Sequence, residues 1–227
     1  MNKKLFLEML KLQDSFNEKT TVGWKGESLD YGTAILCEAA ECSESINFKW
    51  WKDGEDKWNN VEVETIDLHH FIMSISLEKY SAEFLAEVYN MIYENRDENE
   101  LEVGEFHTVV KLLSKRALDY DFDRTEENMC LMIDTFFDLL FNFTSIEDIN
   151  ELHTVYITKN CLNKFRQDYG YKTGRYIKIW NGEEDNVVAW RLATALDNEN
   201  KFNTLYKELQ KYYINNVHKG SKVDEKN

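Results

Sequence analysis

The chain has 227 residues, with 42 carboxylates against 27 lysines and arginines and a formal net charge of −15. So acidic a surface repels nucleic acid and anionic membranes, which excludes neither an enzyme nor a scaffold but argues against a nucleic-acid-binding or membrane-surface module. Apolar residues make up 43%, enough for a substantial core, and the lack of any proline favours long helices joined by short loops.

Helical periodicity dominates from end to end. It predicts helices over about 3–19, 31–49, 60–79, 82–95, 105–120, 126–142, 146–166, 186–197 and 201–217. Thr144 with Glu147 three residues on reads as a capping box, and Asn60 and Asn200 as N-caps. The expected architecture is all-α. A helical bundle spans 1–217 as one domain, an αα-hairpin lies within it, and a helical insertion occupies about 85–130. The charged stretch 94–105 reads as an exposed loop, and 218–227 as a disordered tail. The first dozen residues lack the apolar core of a signal peptide, and no run approaches the roughly 18 apolar residues of a membrane span. Cys37, Cys42, Cys130 and Cys161 form no CxxC pair, so the expectation is a cytoplasmic protein with free, mostly buried thiols.

Two acidic pairs stand out, Glu38 with Glu41 and Glu64 with Asp67. Residues three apart share a helix face, so each pair can grip one cation. On a helical wheel, Glu62, Thr65, His69 and Ser76 form one arc, which polarity makes the solvent face. Glu64 and Asp67 fall opposite, flanked by Val63 and Phe71 with Leu68 close by, and are expected to point inward. Glu38 and Glu41 share an arc with Ala34 and Ser45, whereas Glu44 lies apart and reads as solvated. The short linker 50–59 makes the two helices a hairpin, so the four carboxylates are expected to converge. Hard oxygen ligands select Mg²⁺ or Mn²⁺. The plainer alternative is two amphipathic helices with salt-bridged acids. A di-iron site needs Glu-x-x-His on two helices, and the chain has none. Zinc on Cys37, Cys42, His69 and His70 matches no tetrahedral spacing.

The segment 159–180 reverses the charge: Lys159, Lys164, Arg166, Lys172, Arg175 and Lys178 stand against Asp168 alone. Lys159, Asn163 and Arg166 make one helical stripe, and Tyr169, Tyr171, Tyr176 and Trp180 follow around Gly170 and Gly174. Cations clamp phosphates and aromatic faces stack bases, so a nucleotide polyphosphate is the expected ligand. Single-stranded nucleic acid, or a basic surface that merely balances acids elsewhere, are the alternatives. There is no GxxxxGK[ST], GxGxxG or GxSxG.

"CEAAECSES" with "FKWWK", then "VETIDLHHF", then "KNCLNKFRQDYGYKTGRYIKIWNGEEDN" resemble the dimeric dUTPases of the trypanosomatid and Campylobacter type, over Leu12 to about Asn186. Those belong to the all-α NTP pyrophosphatase superfamily that includes the MazG-like proteins. The resemblance implies a homodimer that pairs a rigid domain with a mobile one. It implies two or three Mg²⁺ ions, with Mn²⁺ able to substitute, on Glu38, Glu41, Glu64 and Asp67 as the catalytic carboxylates, Glu38 orienting the attacking water. It assigns Lys159, Arg166, Tyr171, Lys172 and Lys178 to phosphate, and Gln13, Asn17, His70 and Asn163 to base and sugar. The implied reaction is cleavage of dUTP to dUMP and pyrophosphate, extending to dUDP. Alternatives are a relative acting on dCTP, on both pyrimidines or on another NTP, and an acidic helical interaction protein without activity.

Overall fold

The computed structural model describes residues 2–96, 100–196 and 201–217. Among these the chain is helical almost throughout. The helices are α1 (Asn2–Thr20), α2 (Tyr31–Ser45), α3 (Trp58–Leu77), α4 (Ala82–Asn95), α5 (Phe106–Phe122), α6 (Glu126–Phe143), α7 (Ile149–Asp168), α8 (Asp185–Thr194) and α9 (Lys201–Asn216). A ribbon of β1 (Ile179–Trp180) and β2 (Glu183–Glu184) precedes α8. The all-α expectation is met, and most helices start and end within two or three residues of the periodicity-based positions. No helix among the described residues is long and apolar enough to cross a membrane. The expected tail 218–227, Asn200 and residues 97–99 of the expected loop lie outside the described residues.

Helix starts follow the capping rules, but at other residues than expected. Asp30, Ser81 and Thr125 accept from the backbone N–H three residues on, at the heads of α2, α4 and α6. Asn60 sits inside the first turn of α3, which begins at Trp58. The expected capping box at Thr144 is not formed. Thr144 instead ends α6, its hydroxyl donating to Leu140 O at 2.8 Å. The head of α7 is capped by Asp148, whose carboxylate accepts from Asn150 N (2.7 Å) and Glu151 N (2.9 Å). A charged acceptor taking two donors outcompetes a hydroxyl four residues upstream.

Contacts divide the chain into two compact units, Met1–His153 and Thr154–Asn227. In the first, α3 is central: α1, α2, α4 and α6 all pack on it, while α5 lies against α2 and α6. The segment 85–130 supplies most of α4, all of α5 and the start of α6, within this same bundle. Helix α2 stops at Ser45, short of the expected 49, because Ile46 turns extended and the loop closes on itself. Lys57 N donates to Ser45 O (2.7 Å) and Asn47 N to Asp56 Oδ1 (2.8 Å). That closure makes α2 and α3 a hairpin. In the second unit, Cys161, Leu162, Phe165, Trp180, Val188, Leu205, Leu209 and Tyr213 form the core. Its ribbon turns on Asn181 (φ 53°) and Gly182 (φ 87°), the left-handed pair a tight hairpin demands. Sequence reading missed this hairpin although the Asn-Gly signal was present.

Candidate active site

Glu38 and Glu41 lie one turn apart on α2, Glu64 and Asp67 one turn apart on α3. The hairpin brings one oxygen each of Glu38, Glu41 and Glu64 within 4.8 Å of one another. Glu38 and Glu64 share a hydrogen bond, and Asp67 is near enough to exert the largest charge effect on Glu38. Burial, followed by the charges of Asp67, Glu41 and Glu64, pushes the Glu38 carboxyl up to about 7. So crowded a set of like charges, all oxygen donors, fits a hard divalent cation. It is the one group of three or more such ligands among the described residues, so the zinc alternative is not assembled.

Three of the four acids expected to converge do meet, with Asp67 acting on Glu38 through its charge, but α3 does not face as expected. Thr65, His69 and Ser76, assigned to solvent, are fully buried, whereas Val63 is 40% exposed. Glu64 and Asp67 lie half-buried on the remaining open flank. The reason is that α3 is surrounded by four helices, so its core face accepts polar side chains once they are satisfied or neutral. Ser74 and Ser76 donate back to His70 O and Ile72 O, each at 2.8 Å. His69 stacks on Phe136 at 4.7 Å, and burial holds its imidazole neutral, down at about 3. Glu44 is exposed, as expected, and is paired with Lys49.

Next to the carboxylates, α1 and α3 enclose a polar network. Gln13, Asn17, His70 and Ser74 are all at least nine-tenths buried. Ser74 Oγ accepts from Gln13 Nε2 (3.0 Å) and from Asn17 Nδ2 (2.9 Å). Gln13 Nε2 also donates to Asn17 Oδ1 at 2.9 Å. Gln13 Oε1 lies 2.7 Å from His70 Nδ1, and since a carbonyl only accepts, that nitrogen carries the proton. Burial, with a smaller push from the charge of Glu78, raises the Tyr31 phenol to about 12, and a hydrogen bond with Ser74 opposes the rise. Gln13, Asn17 and His70 were expected site residues; Ser74 was not, because a lone serine in a helix carries no sequence signal.

In the second unit, Asn163, Arg166, Tyr171 and Lys178 are brought together. The Arg166 guanidinium and the Lys178 ammonium lie 6.0 and 5.6 Å from the Tyr171 ring centre, and Arg166 Nη1 reaches Asn163 Oδ1 at 3.4 Å. Lys159 is half-buried one turn before Asn163 on α7, and Lys172 is exposed on the turn after it. Arg166 is anchored by Asp185, which is 1% exposed and accepts from its Nε and Nη2, both at 2.8 Å. The Tyr176 hydroxyl donates to the same carboxylate at 2.7 Å. Sequence reading passed over Asp185, which lies nineteen positions from its partner.

An all-α bundle with a carboxylate cluster on a helix hairpin, together with a separate basic and aromatic cluster, is the class of the all-α nucleoside-triphosphate hydrolases. Within it the family model of the dUTPases matches residues 5–171, and the chain belongs to that family. It is therefore a dUTP diphosphatase, a hydrolase that converts dUTP to dUMP, in a family that is typically metal-dependent. The matched span includes Gln13, Asn17, the four carboxylates, His70, Lys159, Asn163, Arg166 and Tyr171, and ends before Lys172, Lys178 and Asp185. No curated protein matches the chain.

Proposed function

We propose that the chain cleaves dUTP to dUMP and pyrophosphate, and also hydrolyses dUDP, as a Mg²⁺-dependent cytoplasmic homodimer. Two or three ions are held by Glu38, Glu41, Glu64 and Asp67, with Mn²⁺ able to replace Mg²⁺. The observation that carries this reading is the approach of the Glu38, Glu41 and Glu64 oxygens to within 4.8 Å, a cluster whose mutual repulsion a divalent cation relieves. Divalent ions, when bound, neutralise polyphosphate charge and make water more acidic.

The residues supply the rest. Glu38, set among Glu41, Glu64 and Asp67, accepts the proton of the attacking water. The water oxygen bonds to phosphorus at the α–β bridge, and the bridging P–O bond breaks. Lys159, Arg166, Lys172 and Lys178, with the Tyr171 hydroxyl, take up the charge on the polyphosphate as pyrophosphate leaves. Gln13, Asn17, His70 and Asn163 hold base and sugar.

The test is pyrophosphate release from dUTP, dCTP, dTTP and UTP with and without Mg²⁺. Strong preference for dUTP and none without metal supports the reading; equal turnover of dCTP moves the substrate to pyrimidines generally. Glu38→Gln is expected to lower kcat by at least about 100-fold with nucleotide binding retained. Near-normal kcat in that variant removes Glu38 from the role of base.

A further inference from the structure

Ser74 is fully buried on α3, two turns beyond Asp67. Its hydroxyl has a single hydrogen, which it donates to His70 O. The oxygen is left as an acceptor, and it meets the side-chain amides of both Gln13 and Asn17, beside its hydrogen bond with the Tyr31 phenol. An amide presents a carbonyl on one side and an NH₂ on the other, in nearly the same shape. Only the NH₂ side can face an oxygen whose hydrogen points elsewhere. The same constraint propagates. With its NH₂ turned to Ser74 and Asn17, Gln13 must turn its carbonyl to His70, and His70 must carry its proton on Nδ1.

We infer that Ser74 is a positioning residue for substrate specificity: its hydroxyl sets the direction of the Gln13 and Asn17 amides, and through Gln13 the tautomer of His70. This rests on the reading that these three side chains face base and sugar. Its consequence follows from the chemistry of pyrimidines. Uracil offers a donor at N3 and an acceptor at O4; cytosine offers the reverse. Turning a side-chain amide over exchanges its donor and acceptor in the same way. A fixed amide discriminates uracil from cytosine, and an amide free to flip serves either. A site that holds a polar group against one partner rejects the mismatched analogue strongly, because the group is otherwise left unpaired.

Ser76 provides a matched control. It is equally buried on the same helix and makes the same 2.8 Å bond to the carbonyl four residues back. That bond stays within α3, from Ser76 to Ile72. Ser74→Ala, Ser74→Thr, Ser76→Ala and Asn17→Ala are compared by thermal unfolding and by kcat and KM for dUTP and dCTP with Mg²⁺. Ser74→Ala is expected to raise KM for dUTP, to change kcat little, and to lower the dUTP-over-dCTP ratio of kcat/KM by about tenfold or more. Ser74→Thr, which keeps the hydroxyl, is expected to recover most of that ratio. Ser76→Ala should lower stability with the ratio unchanged. If Asn17→Ala shifts the ratio while Ser74→Ala does not, the inference is overturned and the placement of the amides survives. If Asn17→Ala leaves the ratio unchanged, the amides do not face the nucleoside and both readings fall. A loss of ratio in Ser76→Ala equal to that in Ser74→Ala also overturns the inference, since any buried hydroxyl would then suffice.

Discussion

A buried carboxylate survives only with partners, and Asp185 has three donors to its two oxygens. Two parallel bonds hold the Arg166 guanidinium in a plane, which is the geometry that makes arginine a directional phosphate ligand. Removing the carboxylate leaves a guanidinium whose side chain is only 15% exposed without its counter-charge. Asp185→Ala is therefore expected to cost about 3 kcal/mol of stability and to raise KM for dUTP. Denaturant unfolding and steady-state kinetics check this, and an unchanged unfolding midpoint would mean that Arg166 does not depend on Asp185. Spacing alone pairs Glu38 with Glu41 and Glu64 with Asp67, and the oxygens of Glu38, Glu41 and Glu64 do come together. Asp185 and Ser74 were not legible. Each acts through a partner far along the chain, and no local pattern records such a pairing.

At the scale of an element, α6 carries Asp134 and Asp138 one turn apart, with Asp138 half-buried. Burial and then the charge of Asp134 push the Asp138 carboxyl up to about 6, against the opposing charge of Arg96. The sign follows from proton counts. Between about pH 4, the usual aspartate value, and pH 6, the native chain keeps a proton that the unfolded chain has released, so Asp138 makes stability fall as pH rises through that window. Above pH 6 the penalty is complete. Asp138→Asn is thus expected to be near neutral at pH 4 and to stabilise at pH 8 by about 0.5–1 kcal/mol, after screening at a half-exposed site. Thermal unfolding of both proteins across that range is the check; a difference independent of pH would rule out titration of Asp138 as its source. Helix α3 shows where an element outruns pattern reading. Its periodicity located it correctly, but the polar arc Thr65, His69 and Ser76 turned out to be core. A wheel assigns facing by polarity, which works for a helix with one dry side and fails for one enclosed by four neighbours.

For the whole molecule, a cation that binds the native cluster and not the unfolded chain must stabilise the fold. Mg²⁺ at a hundred times its Kd is expected to add about 2.7 kcal/mol, read as a rise in Tm. Glu64→Gln, which removes the negative charge of one of the three clustered carboxylates, should abolish most of that rise. A full Mg²⁺ shift in that variant would move the ions away from the hairpin.

Helix number, order and extent, the hairpin of acids and the basic, aromatic segment after it are properties of the chain itself. Periodicity, spacing and the absence of proline act over a few residues, where covalent geometry limits the choices. Which side of α3 is dry, which acceptor caps α7, where Arg166 finds its carboxylate and which way the Gln13 and Asn17 amides face were decided by tertiary structure. These depend on groups brought together from distant positions, where burial and the pairing of enclosed polar groups select one arrangement among several that the local sequence allows.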